Sequence, residues 1–344
     1  MKRKKISLVT VILSFTLVLC SCGGKSNTDS KDDSSFTTTT ESVAPVNPFE
    51  QDSSEQEKTQ SDCTPAMWKV TSSDGNSITC LGSMHAVKDS DYPLPDSIMD
   101  EYKKADTVAV EFDLVDFSED LNKRYSITAK AKFTDGTKLK DVISDEAYKG
   151  VCHLAEEYDI SADLINELKP WAVQNLFSSL SFDDTELKIS KSIDVFFLNS
   201  AKKDGKEIYE VESADFQFDM LLGFSDEIYS MIFETYNNQT KNAMEKENML
   251  LYNAWREGNT DLMEQISETE VQSDTLSEKN QQLYKEYNQV LIYDRNKTMV
   301  KKAEKLLSEK KNAFYVVGAG HLIGEKGVIS LLEKDGYKVE RIRY

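Results

Sequence analysis

Two of the three histidines in the sequence occur in the same short pattern, in which a glycine is followed three positions later by the histidine. The two segments are Gly82-Ser83-Met84-His85 and Gly318-Ala319-Gly320-His321. Each comes directly after a run of strand-forming residues, so each imidazole is expected where a strand ends. Because imidazole binds divalent metals and transfers protons near neutral pH, the pattern predicts a metal or catalytic site at His85 and His321.

A carboxylate is expected beside these histidines. Residues 107–112 read as a strand that carries Glu111 near its carboxyl end. Ligands in α/β sheets bind beyond the carboxyl ends of strands, so the three side chains share that rim if the strands are parallel neighbours. Two imidazoles and a carboxylate can hold a divalent ion with a position open for water, whose pKa then falls to about 7. A histidine or glutamate at a strand end is otherwise more often structural or solvated.

The elements that must position these residues alternate between strands and helices. Asp74-Gly75 between two short β-type runs predicts a hairpin, and residues 313–317 form an apolar run typical of a strand buried on both faces. The sequence predicts an α+β (or α/β) fold with a central mixed β-sheet formed from the amino- and carboxyl-terminal segments, and a large helical middle region. Other strands are predicted over residues 67–71, 77–81, 207–211 and 337–342, and a helix runs from residue 96 to about residue 105. His153 lies on a predicted helix without such a context and is expected to be structural.

The amino terminus predicts export. Residues 2–5 are basic and residues 6–19 are apolar, which is too short for a membrane span and suits a signal peptide. The segment Leu19-Cys20-Ser21-Cys22-Gly23 resembles a bacterial lipobox, in which Cys22 is the lipidated residue because the small Ser21 precedes it. An ordinary cleaved signal peptide with two incidental cysteines is the alternative. We predict a lipoprotein signal peptide over residues 1–21, a disordered polar tether over residues 22–62 and a folded domain over residues 63–344.

Composition and cysteines restrict the possible partners. The chain has 344 residues, of which 39% are hydrophobic, so it can bury a sizeable core. Its net charge of −19 argues against nucleic acid as a partner, because phosphate binding needs a concentrated positive face. The cysteine spacing does not match a zinc motif, and a Cys63–Cys80 disulfide is allowed but not required.

The two histidine segments and the sequence around them resemble the TraB/GumN family of Tiki/TraB-type proteins over roughly residues 66–344. Ser192 and Asn259 depart from the family pattern, where glycine and aspartate are usual, and both lie outside the expected ligands. The matching segments include Leu81-Gly82-Ser83-Met84-His85, Leu94-Pro95, Val110-Glu111, Ile193-Asp194, Val211-Glu212-Ser213 with Gln217, Ala254-Trp255-Arg256-Glu257-Gly258, Asp294-Arg295-Asn296 and Val317-Gly318-Ala319-Gly320-His321.

This resemblance implies a metal-dependent hydrolase, and in the Tiki branch a peptidase, that uses a divalent ion such as manganese, cobalt or zinc. By the matching motifs His85 and His321 are the expected ligands, and Glu111 is the third ligand or the general base. The resemblance makes Glu212 a candidate for a further carboxylate and Arg295 a candidate for stabilising the developing oxyanion.

The function expected from the sequence is that of an extracytoplasmic lipoprotein, tethered to the bacterial cell membrane by its lipid, that hydrolyses a peptide or another amide or ester. The alternative is a non-catalytic lipoprotein that binds a peptide or small ligand, of the pheromone-limiting or haem-binding type. A third interpretation is a structural protein of the cell envelope whose histidines only brace turns. The oligomeric state is left open.

Overall fold

The computed structural model describes residues 60–268 and 277–344. The predicted signal peptide, Cys22 and most of the predicted tether lie outside these residues. The strands in the described residues form one sheet, and their bounds are β1 (Met67–Thr71), β2 (Ser77–Ser83), β3 (Thr107–Val110), β4 (Glu207–Glu210), β5 (Ala313–Gly318) and β6 (Lys338–Ile342).

The sheet is mixed, with the strand order β4-β3-β5-β2-β1-β6. Strands β4, β3, β5 and β2 run parallel to one another, whereas β1 is antiparallel to both of its neighbours, β2 and β6. Parallel strands require crossover connections, and the helical segments of the chain supply them. The predicted α+β fold with a mixed central sheet is therefore confirmed, although β4 enters the sheet from the middle of the chain.

Helices cover both faces of the sheet and extend into a separate helical lobe, which we define as α3–α7, α9, α10 and α13. A π-helical turn over Gln289–Tyr293 leads from α13 into α14. The helix bounds are α1 (Asp96–Lys104), α2 (Leu114–Glu119), α3 (Leu121–Lys130), α4 (Leu139–Val142), α5 (Asp145–Glu157), α6 (Ala162–Asn166), α7 (Pro170–Leu180), α8 (Ile193–Asp204), α9 (Ala214–Gly223), α10 (Asp226–Thr235), α11 (Lys241–Arg256), α12 (Thr260–Glu268), α13 (Glu278–Asn288), α14 (Asp294–Ser308), α15 (Ala319–Leu322) and α16 (Val328–Lys334).

Strand β5 shows why the central strands are continuous apolar runs. Its side chains alternate between two cores: Phe314 and Val316 pack with α1 and α8 on one face, and Tyr315 and Val317 pack with α14 and α16 on the other. Every residue of β5 is buried. Burying each large apolar side chain contributes about 1.5–3 kcal/mol, so this strand anchors the two faces to each other.

Local signals explain several boundaries. The hairpin between β1 and β2 turns at Gly75, whose φ of +82° is strained for residues with a side chain. Pro170 occupies the first turn of α7, where its missing N–H costs no helical hydrogen bond. Ser61 and Asp62, at the end of the predicted tether, already contact the domain: Ser61 N–H donates to the Pro93 carbonyl, 3.0 Å away, and Asp62 pairs with Arg256.

Within residues 60–268 and 277–344, no helix combines the length and the apolar character needed to cross a membrane. The cysteines Cys63, Cys80 and Cys152 are all free, and the first two are buried.

Candidate functional site

Four parallel strands end at one rim of the sheet, and each is followed closely by one of the predicted side chains. His85 follows β2, Glu111 follows β3, Glu212 follows β4 and His321 follows β5 in the first turn of α15. Since β2 and β5 are parallel neighbours, as are β3 and β5, the two histidines and Glu111 share the rim where ligands bind in α/β sheets.

These side chains converge on Gly318. A methyl group placed on its α-carbon would lie 3.2 Å from Glu111 Oε1, 3.6 Å from His321 Cδ2 and 3.7 Å from His85 Nε2. Three polar side chains from three different strand ends therefore surround one small space, which exists because residue 318 has no side chain. Its φ of −47° and ψ of 131° are open to any residue, so the glycine provides room rather than an unusual backbone conformation.

His321 is buried and has a defined tautomer. Asn296 Nδ2 donates to the Lys326 carbonyl at 2.9 Å, which turns Asn296 Oδ1 toward the ring. His321 Nδ1–H donates to that oxygen at 2.6 Å, so Nε2 carries the lone pair. Nε2 is buried and has no hydrogen-bond partner among the described residues. Burial, followed by the positive charge of Arg295, lowers the pKa of His321 to about 3, and the imidazole is therefore neutral.

His85 has a different environment. Its Nδ1–H donates to Asp194 Oδ2 at 3.1 Å, in the first turn of α8, and Nε2 faces Gly318. Burial lowers the pKa of His85, but the hydrogen bond to Asp194 and the charge of this carboxylate outweigh it, so the pKa lies above its ordinary value. The side chain is 30% exposed, whereas His321 is only 2% exposed, so the site meets solvent at His85.

The carboxylates of Glu111 and Glu212 share one arginine. Arg295 Nη2 donates to Oε2 of both residues at 2.7 Å, and its Nε donates to Glu212 Oε1 at 2.9 Å. Gln217 Nε2 also donates to both Oε2 atoms, at 3.0 Å for Glu111 and 2.7 Å for Glu212. Arg295 and Gln217 therefore bridge the same pair of oxygens, all within the protein interior.

This network decides what each carboxylate can do. Both oxygens of Glu212 point at Arg295, so Glu212 is a counter-ion. Among the described residues, Glu111 Oε1 accepts only the Gly318 N–H, at 2.9 Å, and it keeps a second lone pair near the imidazoles. Burial raises the pKa of Glu111, but the positive charge of Arg295 and the hydrogen bond from the Gly318 N–H outweigh burial and lower the pKa to about 2, so Glu111 is ionised.

The side chains at this rim offer nitrogen and oxygen donors to a metal ion. Within residues 60–268 and 277–344, no three His, Cys, Asp or Glu side chains are arranged to hold one. Glu111 Oε1, His85 Nε2 and the His321 ring, through Cδ2, nevertheless border one space beside Gly318. The adjacent ring atom, His321 Nε2, has no hydrogen-bond partner among the described residues. Two imidazole nitrogens and one carboxylate oxygen are donors that divalent transition metals prefer, so these residues fit such an ion.

Several functional neighbours were not singled out by the sequence reasoning. Asp194, Asn296 and Gln217 lie within the family-like segments but do not carry a recognisable motif of their own. Trp255, in another such segment, donates from Nε1 to the Gly82 carbonyl at 2.8 Å and thereby fixes the first histidine segment. His153 lies in the helical lobe, where Nε2–H donates to the Gln239 carbonyl at 2.9 Å.

A family model described as the TraB/PrgY/gumN family matches residues 66–341. Protein YbaP of Escherichia coli (strain K12) is 26% identical over 163 residues, which are 47% of this chain and 58% of YbaP. The chain therefore spans little more than half the length of that relative.

Shorter segments match proteins named as metalloproteases. The metalloprotease TIKI homolog of Amphimedon queenslandica is 43% identical over 54 residues, 15% of this chain and 11% of that protein. Metalloprotease TIKI1 of Danio rerio is 40% identical over 62 residues, 17% of this chain and 13% of that protein. No solved structure matches the chain significantly.

Proposed function

The chain belongs to the TraB/PrgY/gumN family, and from this premise we propose that it is a metal-dependent hydrolase that cleaves peptides or related amide or ester bonds. The observation that carries the proposal is the meeting of His85, Glu111 and His321 around the space beside Gly318. The relatives named as metalloproteases support the reaction class, although the matched segments cover a small part of each.

His85 and His321 would hold the ion through Nε2, because each Nδ1 is already bonded to Asp194 or Asn296. Such outer partners fix the ring orientation of metal-binding histidines. A divalent ion bound here would polarise the scissile carbonyl and lower the pKa of a bound water to about 7.

Glu111 is the carboxylate that acts in the site. Its Oε1 lies beside the imidazoles, where it can bind the ion or accept the proton of the attacking water. Glu212 is excluded from that step because Arg295 and Gln217 occupy its oxygens, so its contribution is to keep Arg295 in place. Arg295 holds Glu111 ionised and in position, and it is too occupied by the two carboxylates to be the main oxyanion donor.

We also propose that the domain works outside the cytoplasm as a lipoprotein anchored to the membrane through Cys22. This rests on the basic and apolar residues at the amino terminus and on the small Ser21 before Cys22. Mass spectrometry of the mature amino terminus tests it: a diacylated Cys22 is expected, and Cys22→Ser should release the protein from the membrane, whereas Cys20→Ser should not. An unmodified amino terminus would refute the anchor.

The hydrolase is tested by metal content and by peptide turnover. The purified full chain is loaded with Mn²⁺, Co²⁺ or Zn²⁺, and cleavage of a peptide mixture is followed by mass spectrometry. The wild type is expected to bind one of these ions and to release many product molecules per chain, whereas His85→Ala and His321→Ala should lose both properties. The matched control is His153→Ala, which removes the remaining histidine from the helical lobe and should retain both.

The Glu111→Gln variant separates the two roles of that carboxylate. Loss of metal and of cleavage identifies a ligand, and loss of cleavage with metal retained identifies the proton acceptor. Unchanged metal occupancy in both histidine variants would end the metal proposal. Tight peptide binding without product accumulation would instead support the non-catalytic, ligand-binding alternative.

A further inference from the structure

Ser83 is a buried hydroxyl that no described residue satisfies. It is the last residue of β2 and lies in the first histidine segment, between Gly82 and His85. Its exposure is 2%, and Oγ is shielded from solvent without a hydrogen-bond partner in the described part of the chain. Buried polar groups are normally paired because an unpaired one loses its hydration without compensation, so this hydroxyl needs an explanation.

The sheet register places Ser83 beside the site. Ser83 is the partner of Gly318 in the parallel pairing of β2 with β5. Residues in register on neighbouring strands direct their Cβ atoms to the same face, and the strands are about 4.8 Å apart. The Ser83 side chain therefore points to the face on which His85 Nε2, Glu111 Oε1 and the His321 ring surround the Cβ position of Gly318.

The nearby protein groups are already committed to other partners. The Gly318 N–H donates to Glu111, and Nε and Nη2 of Arg295 donate to the two glutamates. Arg295 Nη1 donates to the Leu291 carbonyl. Among the described residues, the atoms left over at this point are Ser83 Oγ, His321 Nε2, Gln217 Oε1 and the spare lone pair of Glu111. All of them can donate electron pairs, and this is the composition of an incomplete cation site.

We infer that Ser83 Oγ is an oxygen ligand of the same metal ion and that it biases the site toward an oxygen-preferring ion such as Mn²⁺. This inference rests on the proposed function. Carboxylate, hydroxyl and water oxygens suit Mn²⁺, which takes more ligands than the four that commonly surround Zn²⁺. A serine hydroxyl next to two imidazoles and one carboxylate adds an oxygen donor without adding charge. A metal ligand role also explains why the fold retains a buried hydroxyl that has no hydrogen-bond partner among the described residues.

The test measures metal affinity rather than turnover. The full chain is stripped with a chelator and titrated with Mn²⁺ and with Zn²⁺ by calorimetry. Ser83→Ala should weaken Mn²⁺ binding by about tenfold or more, as loss of a group supporting a metal site does, and weaken Zn²⁺ binding less. Ser83→Thr keeps the hydroxyl and should restore Mn²⁺ binding. Ser83→Cys supplies a soft sulfur and should shift the preference toward Zn²⁺.

The matched control is Ser72→Ala, which removes another buried, unpartnered hydroxyl at the hairpin between β1 and β2, far along the strands from the rim. It should leave both affinities unchanged, and the thermal midpoints of all variants should confirm folding. Equal Mn²⁺ affinity in wild type and Ser83→Ala, or failure of threonine to rescue, would overturn the inference while leaving the hydrolase proposal standing. A wild type that binds none of Mn²⁺, Zn²⁺ and Co²⁺ would overturn both proposals, so the two failures are distinguishable.

Discussion

The two Gly-x-x-His segments share a sequence pattern and a position in the fold, yet they present different histidines. His85 is partly exposed and bonded to the carboxylate Asp194 on α8, which packs on one face of the sheet. His321 is buried and bonded to the neutral amide of Asn296 on α14, which packs on the other face. The Gly-x-x-His motif determines where each imidazole lies. The helix that packs beside the imidazole, α8 or α14, determines the charge of the imidazole and its access to solvent.

The two segments also touch each other. A methyl group on Gly82 would lie 2.9 Å from Ala319 Cβ, so the first glycine lets the second segment approach. Gly318, by contrast, leaves room for the polar groups of the site. Neither glycine has the positive φ that only glycine adopts easily, so backbone conformation does not require a glycine at either position. Gly82 is needed so that the two segments can pack closely, and Gly318 is needed to leave room for the polar side chains of the site.

The largest loss of stability is expected when Arg295, which donates to Glu111 and Glu212, is replaced. Arg295→Met removes the cation between Glu111 and Glu212 and leaves two carboxylates buried without a counter-ion. Breaking a buried ion pair in this way should lower the free energy of unfolding by about 3–5 kcal/mol. Urea denaturation measures the loss. Adding Glu212→Gln should recover part of it, because one of the stranded charges is then removed.

The control for this variant is Lys297→Met, two residues further along α14. Lys297 pairs with Asp294 on the surface, and such exposed pairs contribute about 0–1 kcal/mol. If Arg295→Met were as mild as Lys297→Met, the two glutamates would be protonated or hydrated in the folded protein. The buried ionic network beside His321 would then contribute little to the free energy of unfolding.

The sequence could predict the features of this site that depend on neighbouring residues, but not those that depend on residues far apart in the chain. Strand ends and the Asp74-Gly75 turn depend on a few consecutive residues, so β2, β5 and the positions of the two histidines were predictable. Asp194 lies 109 residues from His85, and Asn296 lies 25 residues from His321. Their pairing depends on how α8 and α14 dock, which local periodicity does not encode. The family-like segments contained these residues but did not show their roles.

Substitutions of Gly82 and Gly318 test the difference between the two Gly-x-x-His segments, with smaller expected effects. Gly82→Ala forces Ala319 to move and should cost about 1–3 kcal/mol, as overpacking a core does. Gly318→Ala meets its neighbours at 3.2–3.7 Å, in a backbone conformation that alanine adopts freely, so it should fold with little loss. It should nevertheless lose bound metal, because the methyl group fills the space between the ligands. Urea denaturation and metal analysis of both variants measure these effects. Equal losses of stability and of metal in the two variants would show that the segments are interchangeable, and a reversed pattern would show that the two roles are assigned to the wrong glycines.

The smallest effect is expected from the partner of the exposed histidine. Asp194→Asn makes the first segment resemble the second by replacing a charged partner with an amide of the same shape. Because a carboxylate raises the basicity of a metal-bound imidazole, Mn²⁺ affinity measured by calorimetry should fall about tenfold. Asp89→Asn is the matched control, since Asp89 pairs with Lys188 on the surface. Equal affinities in all three proteins would mean that Asp194 only stabilises the first turn of α8, and that the charge difference between the two histidines has no bearing on metal binding.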